Sequence, residues 1–381
     1  MRVISRLRDF ERVQVTDARE VRVMLLGPSR SAVSGVSTHL NQLMGSPLAG
    51  QFRFDHFQVG SEGRSEGSID KAMRLTFSPL LLGYRLLSRG SAIVHINSSL
   101  DQKAFWRDTA YLLIAKVVRC KIVYQVHGGE LPDQFFGGRQ PLTAFLKWML
   151  RLPDAIVLLA EVERSAYRTF GAFRNLSVIP NAIDSDAYAP EARGRQFGSA
   201  LNIAYIGRLV YDKGIFEAIE ALRILRDSGI NNLTLSIAGS GPAENELKEQ
   251  TRALQLEHDV RFVGPVHGEQ KIRFWRNADL FVFPTFHREG LPYALLESLA
   301  SGTPVITTAV GAIPDVVADG VHGIMVNPHA AAEVANAVRR LILDRSLMQR
   351  MSRACLERAR EGYGVERLSD DFAKLYTRVL A

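Results

Sequence analysis

The sequence predicts an α/β protein of two successive halves, each a parallel sheet with helices between its strands. Short apolar runs alternate with helical periodicity along nearly all of the 381 residues, and strands that alternate with helices form parallel sheets. The alternation breaks over residues 181–199, a polar stretch with Pro190, Gly194 and Gly198, which reads as a hinge. The length also exceeds one ordinary domain. The expected division is residues 1–190, residues 191–362, and residues 363–381 as a last helix turning back onto the first half. The two halves share no visible repeat.

In the first half, residues 21–27 read as a buried strand. A Ser-rich loop follows, then a helix start at Gly35-Val36-Ser37-Thr38-His39-Leu40. Backbone N–H groups at such a start suit a phosphate, although one glycine at a strand–helix turn is common. Further strands are expected at 92–96, 121–126, 155–159 and 176–179, with helices at 102–119, 142–152 and 161–170. Residues 71–89, KAMRLTFSPLLLGYRLLSR, are apolar with basic punctuation. A core helix with snorkelling ends is the commoner reading of that pattern, and a membrane-contact element is the alternative. His127-Gly128-Gly129 directly follows the strand at 121–126, where ligands of open α/β sheets bind.

In the second half, strands are expected at 201–206, 233–238, 260–263, 280–283, 305–308 and 323–326. Helices are expected at 214–227, 243–256, 269–276, 292–300 and 331–343. Residues 346–380 read as helical, interrupted at 361–364.

Composition narrows the function classes. Hydrophobic residues make up 46% and charged residues 23%, as in a globular protein with a large core. The two cysteines, Cys120 and Cys355, are far apart and in no metal spacing, so a reducing compartment is expected. The start, MRVISRLRDFERV, lacks the apolar core of a signal peptide, and no run approaches a membrane span. The net charge of +7 lies wholly in the first half: residues 1–190 hold 24 Lys/Arg against 17 Asp/Glu, and residues 191–381 hold 23 of each. Basic surface serves nucleic acid, anionic lipid or an anionic small molecule. No nucleic-acid module is present, which ranks nucleic acid last. Residues 1–20 read as a basic extension or a short membrane-surface helix.

Three motifs in the second half carry chemistry. Gly207-Arg208 and Lys213-Gly214 place two cations on a loop between a strand end and a helix start, suited to a diphosphate. Ala238-Gly239-Ser240-Gly241-Pro242 is a glycine turn at another strand end, which serves equally as a structural turn or a ligand contact. Residues 283–314 hold Glu289 in a loop and Glu297 on a helix that Pro292 starts. That stretch offers a helix N-terminus for an anion and two carboxylates for hydroxyls.

Taken in order, these motifs resemble the retaining GT-B glycosyltransferases, specifically glycosyltransferase family 4 (glycosyl transferases group 1). The resemblance rests on the E-x7-E pair Glu289 and Glu297, on GRL…KG at 207–214 and on AGSGP at 238–242. FVG at 262–264, VGAIPDVV at 310–317 and DGVHGIMVNP at 319–328 complete it. The family's Gly-Gly-Val loop is here Ser34-Gly35-Val36, and His127-Gly128 matches its HG. The fold implied is two facing Rossmann-like domains with a cleft between them and a C-terminal helix crossing back.

By the same resemblance, Arg208 and Lys213 hold the donor diphosphate, beside Gly207 and the turn at Gly239. Glu297 takes the ribose hydroxyls and Glu289 the sugar hydroxyls, and the backbone of Gly290, Leu291 and Pro292 lies by sugar and phosphate. His127 faces the reacting side of the sugar, Gly35 lets the loop close over the phosphates, and Phe262 and Val263 run along the base. The activity implied is transfer from a UDP- or GDP-sugar to a hydroxyl of a glycan or lipid-linked acceptor. It proceeds with retention and without a metal or other cofactor. The expected place is the cytoplasm, with peripheral contact to anionic membrane through the basic half. A sugar-nucleotide epimerase and a non-catalytic sugar-nucleotide-binding subunit are the alternatives.

Overall fold

The computed structural model describes residues 21–63, 66–190, 197–198 and 200–381. The basic extension at 1–20 and part of the hinge lie outside the described residues.

The first half builds a six-stranded parallel sheet. Its elements run β1 (Arg22–Gly27), α1 (Gly35–Gly45), β2 (Arg53–Gln58), α2 (Ser68–Arg89), β3 (Ile93–Leu100), α3 (Gln102–Val117), β4 (Lys121–Gly129), α4 (Gln140–Leu150), β5 (Ala155–Leu158), α5 (Glu161–Phe170) and β6 (Leu176–Val178). The strand order is β2-β1-β3-β4-β5-β6. Two buried clusters, one on each face of the sheet, form the core. A short helix, α6 (Ser185–Tyr188), lies in the connection to the second half.

The second half repeats the plan with β7 (Leu201–Ile206), α7 (Ile215–Asp227), β8 (Leu233–Ala238), α8 (Glu244–Ala253), β9 (Val260–Gly264), α9 (Gly268–Arg276), β10 (Leu280–Phe283), α10 (Tyr293–Ala300), β11 (Val305–Thr308), α11 (Ile313–Val316), β12 (Gly323–Val326) and α12 (Ala331–Leu343). Its order, β12-β11-β10-β7-β8-β9, is that of a doubly wound dinucleotide-type sheet. α13 (Arg345–Tyr363) ends against this half, and Ile183 bridges Gly364. α14 (Val365–Leu380) then crosses back: Leu368, Phe372, Leu375 and Tyr376 are buried in the first half's core. The two Rossmann-like domains and the returning helix are therefore present.

Three local differences from the sequence reading have physical causes. The strand β2 was not expected: RFDHFQ has one fully buried side chain and sits at the sheet edge, so it lacks the apolar run of a central strand. Pro292 is the N-cap of α10 and not its first helical residue. The segment at 71–89 is a helix, but only one face is core: Ser78, Leu82 and Leu86 are buried while Ile69, Leu80 and Tyr84 are exposed.

Candidate active site

Each sheet reverses its strand order once, between β1 and β3 and between β7 and β10. Such switch points open a crevice at the carboxyl ends of the strands. Gly35 follows β1, Gly207, Arg208 and Lys213 follow β7, and Glu289, Gly290, Leu291 and Pro292 follow β10, so these predicted residues collect at the two points, which face each other.

The loop after β7 carries Arg208, which is exposed, and Lys213, which is half-buried. It is docked onto the loop after β10: the Asp212 carbonyl accepts from the backbone N–H groups of Phe286 and His287. Gly214 makes this contact sterically feasible. It has φ of 72°, and a Cβ there would lie 2.1 Å from the Pro284 carbonyl oxygen. The docking brings Lys213 to Glu289. Lys213 Nζ donates to Glu289 Oε1 at 2.5 Å, and Thr285 Oγ1 donates to the same oxygen at 3.1 Å. Glu289 is fixed from behind, since its carbonyl accepts from the Ala312 N–H.

Gly290, Leu291 and Pro292 lead into α10, whose N-terminus has no side-chain cap. These residues line a cavity of 320 Å³ together with Glu289, Tyr293, Asn181, Gly35, Val36 and His127. An uncapped helix start with its N–H groups in a cavity is an anion site. The first half closes the other side. Gly128 and Gly290 approach so closely that a Cβ on Gly290 would lie 3.2 Å from Gly128 Cα. Asn181 Nδ2 donates to the Leu291 carbonyl at 2.9 Å, and Tyr293 Oη bonds Gln42 Oε1 at 3.1 Å. Gly35 sits against the Tyr293 ring. Ser34 caps α1 by accepting from Ser37 N.

His127 lies near the carboxyl end of β4 and lines this cavity. Its Nε2 lies 2.9 Å from Asn97 Oδ1, while Asn97 Nδ2 donates to the Leu26 carbonyl. A carbonyl only accepts, so the amide orientation is fixed and His127 Nε2 must carry the proton. Burial, with His39 and His95 nearby, holds the His127 pKa well below its ordinary value, so the ring is neutral with Nδ1 unprotonated. His39 packs edge-on at 4.7 Å between ring centroids. The Asn97–His127 pair also separates this cavity from a polar one of 170 Å³ lined by Asn97, Ser98, Ser99, Asp101, Lys103 and Arg107.

Glu297 lies deeper, on α10. Its carboxylate is almost wholly buried and accepts from Lys271 Nζ at 2.6 Å and Trp275 Nε1 at 2.9 Å. Gly239 is a turn glycine: its φ is 140°, and a Cβ would stand 1.9 Å from the Gly207 carbonyl oxygen. The turn thus buttresses the Gly207–Gly214 loop. Phe262 is half-buried under Lys248, and Val263 is exposed on the edge strand β9.

Sequence reasoning missed Asn97, Thr285, Lys271 and Trp275. Asn97 had a signal as the polar residue just past the carboxyl end of the strand expected at 92–96, where ligands bind, and Lys271 and Trp275 had one as residues four apart on one helix face. Among the described residues no cluster of three or more His, Cys, Asp or Glu is placed to hold a metal.

Comparisons with known proteins bear on the family and the fold. Residues 195–358 match the family of glycosyl transferases group 1. Glycogen synthase of Mycobacterium tuberculosis is 31% identical over 231 residues, 60% of this chain and 55% of that protein. The capsular polysaccharide biosynthesis glycosyltransferase CapM of Staphylococcus aureus is 33% identical over 178 residues, covering 47% and 46%. The chain spans about half the length of these curated relatives. Among solved structures, sucrose-phosphate synthase of Thermosynechococcus elongatus superposes with TM-score 0.76 at 18% identity over 94% of this chain and 99% of its own. Anabaena HepE with UDP and glucose gives 0.74 at 17% over 94% and 100%. The fold is therefore GT-B, and residues 195–358 belong to the glycosyl transferases group 1 family.

Proposed function

We propose that the chain transfers a sugar from a UDP- or GDP-sugar to a hydroxyl of a glycan or lipid-linked acceptor, with retention of configuration, in bacterial polysaccharide, lipopolysaccharide or glycolipid assembly. One observation carries the reading. Lys213 and Glu289 meet at the β7/β10 switch point, beside the uncapped start of α10 and opposite a neutral His127. That set offers positive charge for a diphosphate, a carboxylate for sugar hydroxyls and a non-ionised ring at the reacting face. Similarity to HepE, a structure with UDP and glucose bound, supports the donor class.

In this scheme the diphosphate draws Lys213 and Arg208, and the sugar hydroxyls take over the freed Glu289 oxygen. Breaking the glycosyl–phosphate bond builds negative charge on the leaving diphosphate. The two cations and the α10 N–H groups stabilise that charge without a metal. The acceptor hydroxyl attacks from the same face, and its proton passes to the leaving phosphate oxygen. Glu297 holds the ribose once Lys271 yields. Contact between the two halves, at Gly128 and Gly290, keeps water from the anomeric carbon.

The test is a panel of UDP- and GDP-sugars scored for binding and slow hydrolysis by the purified chain in EDTA, which needs no acceptor. Turnover of one donor supports the reading. Binding without any turnover favours a non-catalytic subunit, and interconversion of the sugar favours an epimerase.

A further inference from the structure

The α2 helix has an outer stripe that the fold leaves uncovered. Ile69, Met73, Phe77, Leu80, Tyr84 and Leu87 recur at helical spacing and are all exposed, Ile69 at 80% and Tyr84 at 69%. A core-facing helix keeps its apolar stripe inward. Here the inward face is Ser78, Leu82 and Leu86, so α2 is apolar on two sides.

The stripe continues onto α3. The two helices pack closely where Gly83 meets Ile114, and Ser78 Oγ bonds Tyr111 Oη at 2.7 Å. The outward side of α3 presents Trp106, Leu113 and Val117. Trp106 stacks on Phe145 of α4, which leads to the exposed Trp148. A contiguous apolar face of this extent marks an interaction surface.

Charge and aromatic content select the partner. Helices α2, α3 and α4 carry eight Lys/Arg (Lys71, Arg74, Arg85, Arg89, Lys103, Arg107, Lys116 and Lys147) and only two carboxylates. Arg107 pairs with the buried Asp108, and Arg74, Arg89 and Lys116 pair with Glu66, Asp55 and Asp154 of neighbouring segments, so the remaining four cations, Lys71, Arg85, Lys103 and Lys147, carry the net positive charge of this face. An apolar stripe flanked by cations, with Tyr and Trp rings at its margin, matches an anionic bilayer surface.

We propose that α2 and α3, with the start of α4, dock the chain on an anionic membrane, with the stripe buried at the headgroup level. The docked face reaches the cleft side of the molecule. The N-terminal end of α3 follows the carboxyl end of β3, and there a groove of 530 Å³ opens, lined by Gln102, Trp106, Phe135, Phe136, Arg139 and Leu142. Its apolar walls and single guanidinium suit the first part of a lipid chain with an anionic headgroup. Docking does not rest on the sugar-transfer reading, and its assay reads no turnover.

The experiment is co-sedimentation of the full chain with phosphatidylglycerol vesicles and with phosphatidylcholine vesicles at low and high salt. It includes a Phe77→Ser/Leu80→Ser/Tyr84→Ser variant. These side chains are exposed, so circular dichroism and Tm should match those of the parent. The expected result is pelleting with anionic vesicles only, weakened by salt and reduced at least tenfold in the variant. Equal pelleting with and without anionic lipid, or an unchanged variant, overturns the proposal. A concentration-dependent dimer that the variant abolishes also overturns it, in favour of a second copy of the chain as the occupant.

Discussion

Lys213 Nζ lies 2.5 Å from Glu289 Oε1, joining the loops after β7 and β10 at the point where the second sheet reverses its strand order. Both side chains are largely shielded, at 16% and 10% exposure. The pair sets the two groups that a sugar diphosphate would separate, one for phosphate and one for sugar. Removing either partner leaves the other partly buried and unpaired. The singles Lys213→Ala and Glu289→Ala should therefore be less stable than additivity with the double variant allows, with a coupling of about 0.5–3 kcal/mol. A thermal-denaturation cycle measures it, and zero coupling would show that the contact is incidental.

Glu297 is held by Lys271 and Trp275. If it takes the ribose, Glu297→Gln keeps the shape and loses charge-assisted bonds made equally in the ground and transition states. The expected outcome is a donor KM raised about tenfold with kcat changed little, the signature of lost uniform binding. A lowered Tm with KM unchanged would assign Glu297 to structure alone.

Asn97 fixes the tautomer and the tilt of His127. Asn97→Leu should lower kcat about tenfold, the equivalent of one hydrogen bond of about 1.4 kcal/mol, with the donor KM unchanged. Measuring both constants separates this positioning role from a donor contact, which would raise KM instead.

Most of the fold was legible because its signals are local. Apolar runs bounded by glycine marked the central strands, and the site motifs fall at their carboxyl ends. What escaped depends on partners distant in sequence. The strand β2 is recognisable only beside β1, and the roles of Asn97 and Trp275 appear only when His127 and Glu297 arrive next to them. The apolar pattern of α2 was visible, but periodicity alone could not say which of its two apolar faces the sheet would cover.

Three buried histidines tie stability to pH. Burial lowers the pKa of His39 and His95 to about 3, and His127 is lowered well below 6.5. Their folded pKa values lie below the unfolded value, so the unfolded state binds more protons below pH 6.5. Stability is therefore lost as pH falls through that region, by about 1.4 kcal/mol per unit for each group. Glu163 runs the other way. Burial raises its pKa to about 7 from 4.5, so its contribution is lost as pH rises from 4.5 through 7. Three groups outweigh one, and Tm should fall between pH 6.5 and 5. His95→Gln should flatten the slope, and a Tm that rises on acidification would contradict the neutral cluster.

The central claim is that Lys213 and Glu289 form the donor site of a sugar-nucleotide enzyme. Its most direct test is donor hydrolysis in EDTA, comparing the wild type with Lys213→Ala and Glu289→Ala, each checked for folding by circular dichroism. The account predicts turnover of at least one UDP- or GDP-sugar by the wild type and a loss of about 10²–10³-fold in each folded variant. Near-wild-type turnover in both variants would contradict it.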